Sequence, residues 1–153
     1  MLLFIDIDGV MHPVGTHPAG RLSCKPRFEQ WAAGHPAVRL VIASSWRRLY
    51  PLDVLKGLFS AEIGVRVIGV TPRLYGDPTQ RRYREILAWL AKNNCAHEAW
   101  FALDDSSTDF PEECSQLVRC VPERGFDDEV AVELERRIAN MAECNADNPR
   151  HRP

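Results

Sequence analysis

Five short apolar runs recur along the chain: LLFI at 2–5, VRLVIA at 38–43, VRVIGV at 65–70, AWFAL at 99–103 and QLVRCV at 116–121. Each has the length of a β-strand. They lack the strict apolar–polar alternation of a strand with one wet face, so they are expected to be covered on both sides. Helical patterns lie between them. In QRRYREILAWLAKN at 80–93, Tyr83, Ile86, Leu87, Leu90 and Ala91 follow the spacing of one apolar helix face. In DDEVAVELERRIANMA, Asp127 is placed to cap a helix that carries Val130, Leu134, Ile138 and Met141 along one stripe. Strands alternating with helices predict an α/β fold: a doubly wound parallel sheet of about five strands with helices on both faces.

A chain of 153 residues can bury one substantial core but not two. A single domain is expected over residues 1–144, followed by a flexible tail in the polar, proline-bearing stretch NADNPRHRP at 145–153. The stretch from His12 to Pro26 reads as a loop, with His12 and His17 beside prolines at the surface. A net charge of −2 argues against extended nucleic-acid binding. The apolar start has no basic leader and soon meets Asp6, which argues against a signal peptide or membrane span; a cytoplasmic protein without membrane contact is the expectation. The five cysteines form no CxxC pair, so reduced and mostly buried thiols are expected rather than disulfides or a zinc site.

The first run continues as IDIDGV, carrying Asp6 and Asp8 where a buried strand normally excludes charge. Ligands of a doubly wound sheet collect outside the carboxyl ends of the strands. At those ends the chain offers Asp6 and Asp8, then Ser44 and Ser45, then Asp104, Asp105 and Asp109, with Arg81 and Arg82 opening the helix that precedes the fourth strand. Carboxylates gathered in one crevice repel each other by about 4 kcal/mol per close pair in an intermediate dielectric. A cation must offset this, and all-oxygen ligands with room for water and phosphate suit Mg2+. Carboxylate, hydroxyl, guanidinium and magnesium together bind a phosphoryl group and spread its transition-state charge. Gly9 allows a sharp turn out of the strand.

The motifs DIDGV, VIASSW, the RRYREI helix start and ALDDSSTD resemble, in order and spacing, the four motifs of the haloacid dehalogenase-like (HAD) hydrolase superfamily. The string is also similar to the small HAD domains of multi-activity RNA-repair proteins. That resemblance implies Asp6 as nucleophile and metal ligand, with Asp8 as general acid/base that also gives its backbone carbonyl to the metal. It implies Ser44 on the phosphoryl oxygens, Arg82 at a position usually held by lysine, and Asp105 as the downstream metal ligand supported by Asp104 and Asp109. Ser45 and Arg81 are the neighbouring alternatives. Trp46, Arg47 and Arg48 either stack a base or clamp a second phosphate, or form a helix-capping surface turn with solvated arginines. Trp89 and Trp100 are expected in the core or at its rim.

Only about 35 residues separate each pair of successive motifs up to Arg82, too few for an inserted cap domain. An open site favours a bulky phosphorylated substrate: a nucleic-acid end, a nucleotide or a phosphoprotein. The expected activity is a magnesium-dependent phosphatase acting through an aspartyl-phosphate. The competing reading is a phosphate-binding or regulatory module without turnover, and dehalogenation fits the acidic fourth motif poorly.

Overall fold

The computed structural model describes the backbone of residues 1–146 and the side chains of residues 1–141. Its strands are β1 (Leu2–Ile5), β2 (Arg39–Ile42), β3 (Val67–Val70), β4 (Trp100–Asp104) and β5 (Leu117–Arg119). They form one sheet in the order β3-β2-β1-β4-β5, with every neighbouring pair parallel. Each strand falls inside or against its apolar run. The chain leaves β1 toward β2 and β3, then returns to the other side for β4 and β5. The strand order therefore reverses between β1 and β4, and the crevice outside their carboxyl ends is the natural ligand position.

The alternate side chains of β1 go to different layers. Leu3 and Ile5 join a cluster with Phe28 and Trp31 of α1 (Lys25–Ala33), Leu55 of α2 (Leu52–Lys56) and Ile63 of α3 (Ala61–Gly64). Val130 and Leu134 of α5 (Asp128–Ala146) belong to the same layer. Leu2 and Phe4 join the opposite layer with Ile86, Trp89 and Leu90 of α4 (Arg81–Lys92). Phe4 meets the edges of Trp89 and Trp100 with ring centroids 5.6 and 5.7 Å away. Burying such a ring on both sides stabilises by about 2–3 kcal/mol. The connection from β4 to β5, residues 105–116, carries no helix among the described residues, so the alternation is incomplete there.

Several local expectations change. The buried face of α4 is Glu85, Ile86, Trp89 and Leu90, whereas Leu87 and Ala91 point outward. The helix turns the broad Trp89 ring toward the sheet, where it meets Phe4 of β1 edge-on, and Leu87 and Ala91 are left on the far side. The loop from His12 ends at Cys24, because Pro26 sits in the first turn of α1, where its missing N–H costs nothing. His17 is exposed as expected, but His12 is only 4% exposed. Asp127 does cap α5, its Oδ1 accepting from the Val130 N–H at 3.0 Å, and Ile138 and Met141 pack against the core. Cys95 and Cys120 are buried, and Cys24 and Cys114 half-buried, all with free thiols. The side chain of Cys144 and the tail from residue 147 lie outside the described residues, while α5 itself continues through Ala146. Among the described residues no helix is long and apolar enough to cross a membrane.

Candidate active site

β1 delivers Asp6 to the crevice. Its backbone N–H donates to the Leu103 carbonyl at 3.0 Å, so the residue is still tied to β4 as the chain leaves the sheet. β4 itself ends in Asp104, and Asp105 follows. One carboxylate oxygen from each of Asp6, Asp104 and Asp105 lies within 4.8 Å of the others. Asp6 and Asp104 are buried and Asp105 is half-buried. Burial, reinforced by the charge of Asp6, pushes the Asp104 carboxyl up to about 7, although Arg82 and the Ser106 N–H oppose the shift. The same two causes, burial first, raise Asp105.

Arg82 supplies the one positive charge that meets this group among the described residues. Its Nη1 lies 3.2 Å from Asp6 Oδ2 and 3.0 Å from Asp104 Oδ2, between them without an aligned hydrogen bond to either. Burial alone would lower the guanidinium, but the charges of Asp6, Asp104 and Asp109 outweigh it and hold its pKa above the ordinary value. Arg82 stands in the first turn of α4, where the helix dipole disfavours a cation, so its place there is set by the carboxylates. Three carboxylates against one guanidinium leave an excess of negative charge. An all-oxygen donor set with that excess fits a hard divalent cation such as Mg2+.

Gly9 makes the close approach feasible. Its φ is +70°, and a Cβ on it would fall 2.4 Å from Asp105 Oδ2. Gly9→Ala should therefore cost about 1–2 kcal/mol for the left-handed backbone alone, with Asp105 displaced in addition. Urea unfolding would measure the loss, and a midpoint equal to that of the parent chain would refute the packing argument.

Asp8 points outward, its side chain 52% exposed, at the mouth of the crevice. Two neighbours hold it there. The Trp46 Nε1–H donates to Oδ2 at 2.9 Å, and His12 Nε2 lies 3.2 Å from Oδ1. Trp46 thus uses its ring edge on a carboxylate rather than waiting for a base, while Arg21 lies over its face, 5.9 Å from the centroid. His12 is a residue that sequence reasoning misplaced: the proline beside it suggested a wet loop, and nothing local signalled that its ring turns in toward Asp8.

Ser44 is fully buried at the end of β2, and its Oγ caps the following 3-10 turn, accepting from the Trp46 N–H at 3.3 Å. Ser45 is exposed. Of the two candidate arginines, Arg82 reaches Asp6, whereas Arg81 is exposed on the rim of an adjoining cleft. Asp109 lines that cleft as well, outside the carboxylate trio, and its backbone carbonyl accepts from the Tyr83 N–H. Arg47 is neither a solvated turn residue nor free for a substrate. Its side chain is ion-paired with the buried Glu85, and its Nη1 donates to the Ala43 and Ser44 carbonyls. Glu85 also accepts from the Leu74 N–H at 3.2 Å, so this unforeseen acid on α4 binds the turn after β2 and the loop after β3 together.

A family model described as the HAD domain in Swiss Army Knife RNA repair proteins matches residues 2–131 of the chain. No curated protein and no solved structure matches it.

Proposed function

Because the chain belongs to this family of HAD domains, whose superfamily members are generally hydrolases, we propose that it is a magnesium-dependent phosphomonoester hydrolase working through an aspartyl-phosphate on Asp6. The observation that carries the reading is the meeting of Asp6, Asp104 and Asp105 around one point, with Arg82 against two of them. The ion would be held by Asp6, Asp105 and the Asp8 backbone carbonyl, with Asp104 behind them. When bound, it supplies positive charge to the phosphoryl oxygens and lowers their repulsion of the attacking carboxylate.

The chain's own groups divide the remaining work. Asp6 Oδ1 accepts from the Ile7 N–H at 2.7 Å, which fixes the carboxylate's rotation. The Asp6 carboxylate attacks phosphorus, the P–O bond to the leaving group breaks, and Asp8 gives its proton to the departing oxygen. Asp8, now ionised, takes a proton from water, and that water breaks the acyl-phosphate to release inorganic phosphate and restore Asp6. Its exposed position at the mouth, held by Trp46 and His12, suits both proton transfers. Arg82 and Ser44 offset charge on the transferring group.

The substrate we infer is bulky, and a nucleic-acid end is favoured. No further folded unit stands over the crevice among the described residues, so the substrate itself must help exclude water. The family's occurrence in RNA repair proteins agrees with such an end. The purified chain should hydrolyse para-nitrophenyl phosphate in Mg2+, fall silent in EDTA and recover when Mg2+ is restored. Binding of phosphate without turnover of either this ester or a phosphorylated oligonucleotide would instead support a phosphate-binding module.

A further inference from the structure

Beside the carboxylates lies a narrow cleft of about 120 Å³ lined by Arg47, Arg48, Arg73, Arg81 and Arg82 together with the acids Glu85 and Asp109. Two of these charges are committed, Arg47 to Glu85 and Arg82 to Asp6 and Asp104. Arg48, Arg73 and Arg81 form no ion pair among the described residues. They arrive from three separate segments: the 3-10 turn after β2, the loop after β3 and the first turn of α4. All three are exposed at the mouth of the cleft, where a ligand can reach them. Against them the cleft sets one carboxylate outside an ion pair, Asp109, so a net positive charge remains; the positive end of α4 adds to the same field, and the arrangement favours an anion.

We propose that this cleft is a second phosphate site, taking an internal phosphodiester of a polynucleotide whose terminal phosphate lies at Asp6. The proposal rests on the phosphatase reading for the placement of that terminal phosphate. Arg82 lines both the cleft and the carboxylate crevice, so the two sites adjoin. Guanidinium forks match phosphate oxygens in pairs. The cleft is small beside ordinary ligand pockets of about 300–1,000 Å³, which suits a phosphate rather than a whole nucleotide.

What favours a polynucleotide over a phosphopeptide is the rim. Tyr75 is 76% exposed on the same loop as Arg73, whose guanidinium lies 4.7 Å from the ring centroid. An exposed aromatic interleaved with arginine is a sequence-tolerant platform for a base. A polynucleotide carries a phosphate at every step beside such a base, whereas a peptide has no second phosphate at a fixed interval.

The test compares the parent chain with Arg73→Gln and with the double variant Arg48→Gln/Arg73→Gln. Turnover of para-nitrophenyl phosphate should stay within twofold, because that ester has no second phosphate. For a trinucleotide with a terminal phosphate, KM should rise at least tenfold in the double variant with kcat little changed. The parent should prefer that trinucleotide to a mononucleotide with the same terminal phosphate. Equal losses on both esters, or a parent that prefers a phosphopeptide, would overturn the proposal. If the parent hydrolyses none of these substrates, the phosphatase reading fails, and fluorescence anisotropy with a labelled oligonucleotide still decides the cleft. Loss of one neutralised phosphate should make the log–log salt dependence shallower by about 0.7; an unchanged slope and affinity would exclude the site.

Discussion

Asp6→Asn should lower phosphatase turnover by at least about 10⁴-fold, on the scale seen when a nucleophile is removed from a cooperating group, while leaving the fold intact. The substitution is isosteric. An asparagine oxygen can still accept the Ile7 N–H that orients Asp6 Oδ1 at 2.7 Å, and the backbone N–H still reaches the Leu103 carbonyl. What disappears is the charge that attacks phosphorus and the partner of Arg82 at 3.2 Å. Circular dichroism should be unchanged, and mass spectrometry of acid-quenched reactions should find a phosphoryl adduct on the Asp6 peptide of the parent but not of the variant. Turnover within tenfold of the parent would remove Asp6 from the chemistry, whatever the family membership.

The distribution of what could and could not be read from the chain has a physical cause. β1, β2 and β4 were legible because burial on both faces demands uninterrupted apolar runs, and Leu2, Leu3, Phe4 and Ile5 are all fully buried; the edge strands β3 and β5 depart from that expectation, each with an exposed residue, Ile68 and Arg119. That Asp6 meets Asp104 and Asp105 was legible because strand ends converge by topology, whereas the sequence reading put Asp8 in the ligand set and Asp104 behind it, and the Asp8 side chain in fact points outward. Arg81 and Arg82 could not be separated from spacing. They are neighbours on one helix, and only its rotation, set by Trp89 and Ile86 against β1 and β2, decides which faces Asp6. The clamp on Asp8 was hidden for a related reason. Trp46 is 38 positions away, and its partner is chosen by where the turn after β2 lies over the end of β1. Arg47 and Glu85 show the opposite error: residues that look polar and exposed in sequence are buried as a pair, because each satisfies the other and nearby backbone groups.

The second large effect concerns Asp104, and its direction runs against the usual behaviour of carboxylates. Its carboxyl is raised from 3.8 to about 7 in the fold, by burial and then by Asp6. A group with a raised folded value binds more protons folded than unfolded between those two pH values, so stability falls as pH rises through this window. The contribution is fully present below about pH 4 and lost above about pH 7, with a ceiling of about 4 kcal/mol for a shift of this size. In chelator, the metal-free parent should therefore lose stability between pH 4 and 7. Asp104→Asn, which keeps an acceptor for the Ser106 N–H, should lose less, so that the variant is the more stable chain at pH 8. Mg2+ should reverse that order, since the parent then offsets its three carboxylates with the ion while the variant binds it more weakly. Thermal unfolding at pH 5 and pH 8, with and without Mg2+, measures all four states. If the parent in chelator were equally stable at both pH values and indifferent to Mg2+, the excess negative charge inferred at Asp6, Asp104 and Asp105 would not exist, and the metal assignment would go with it.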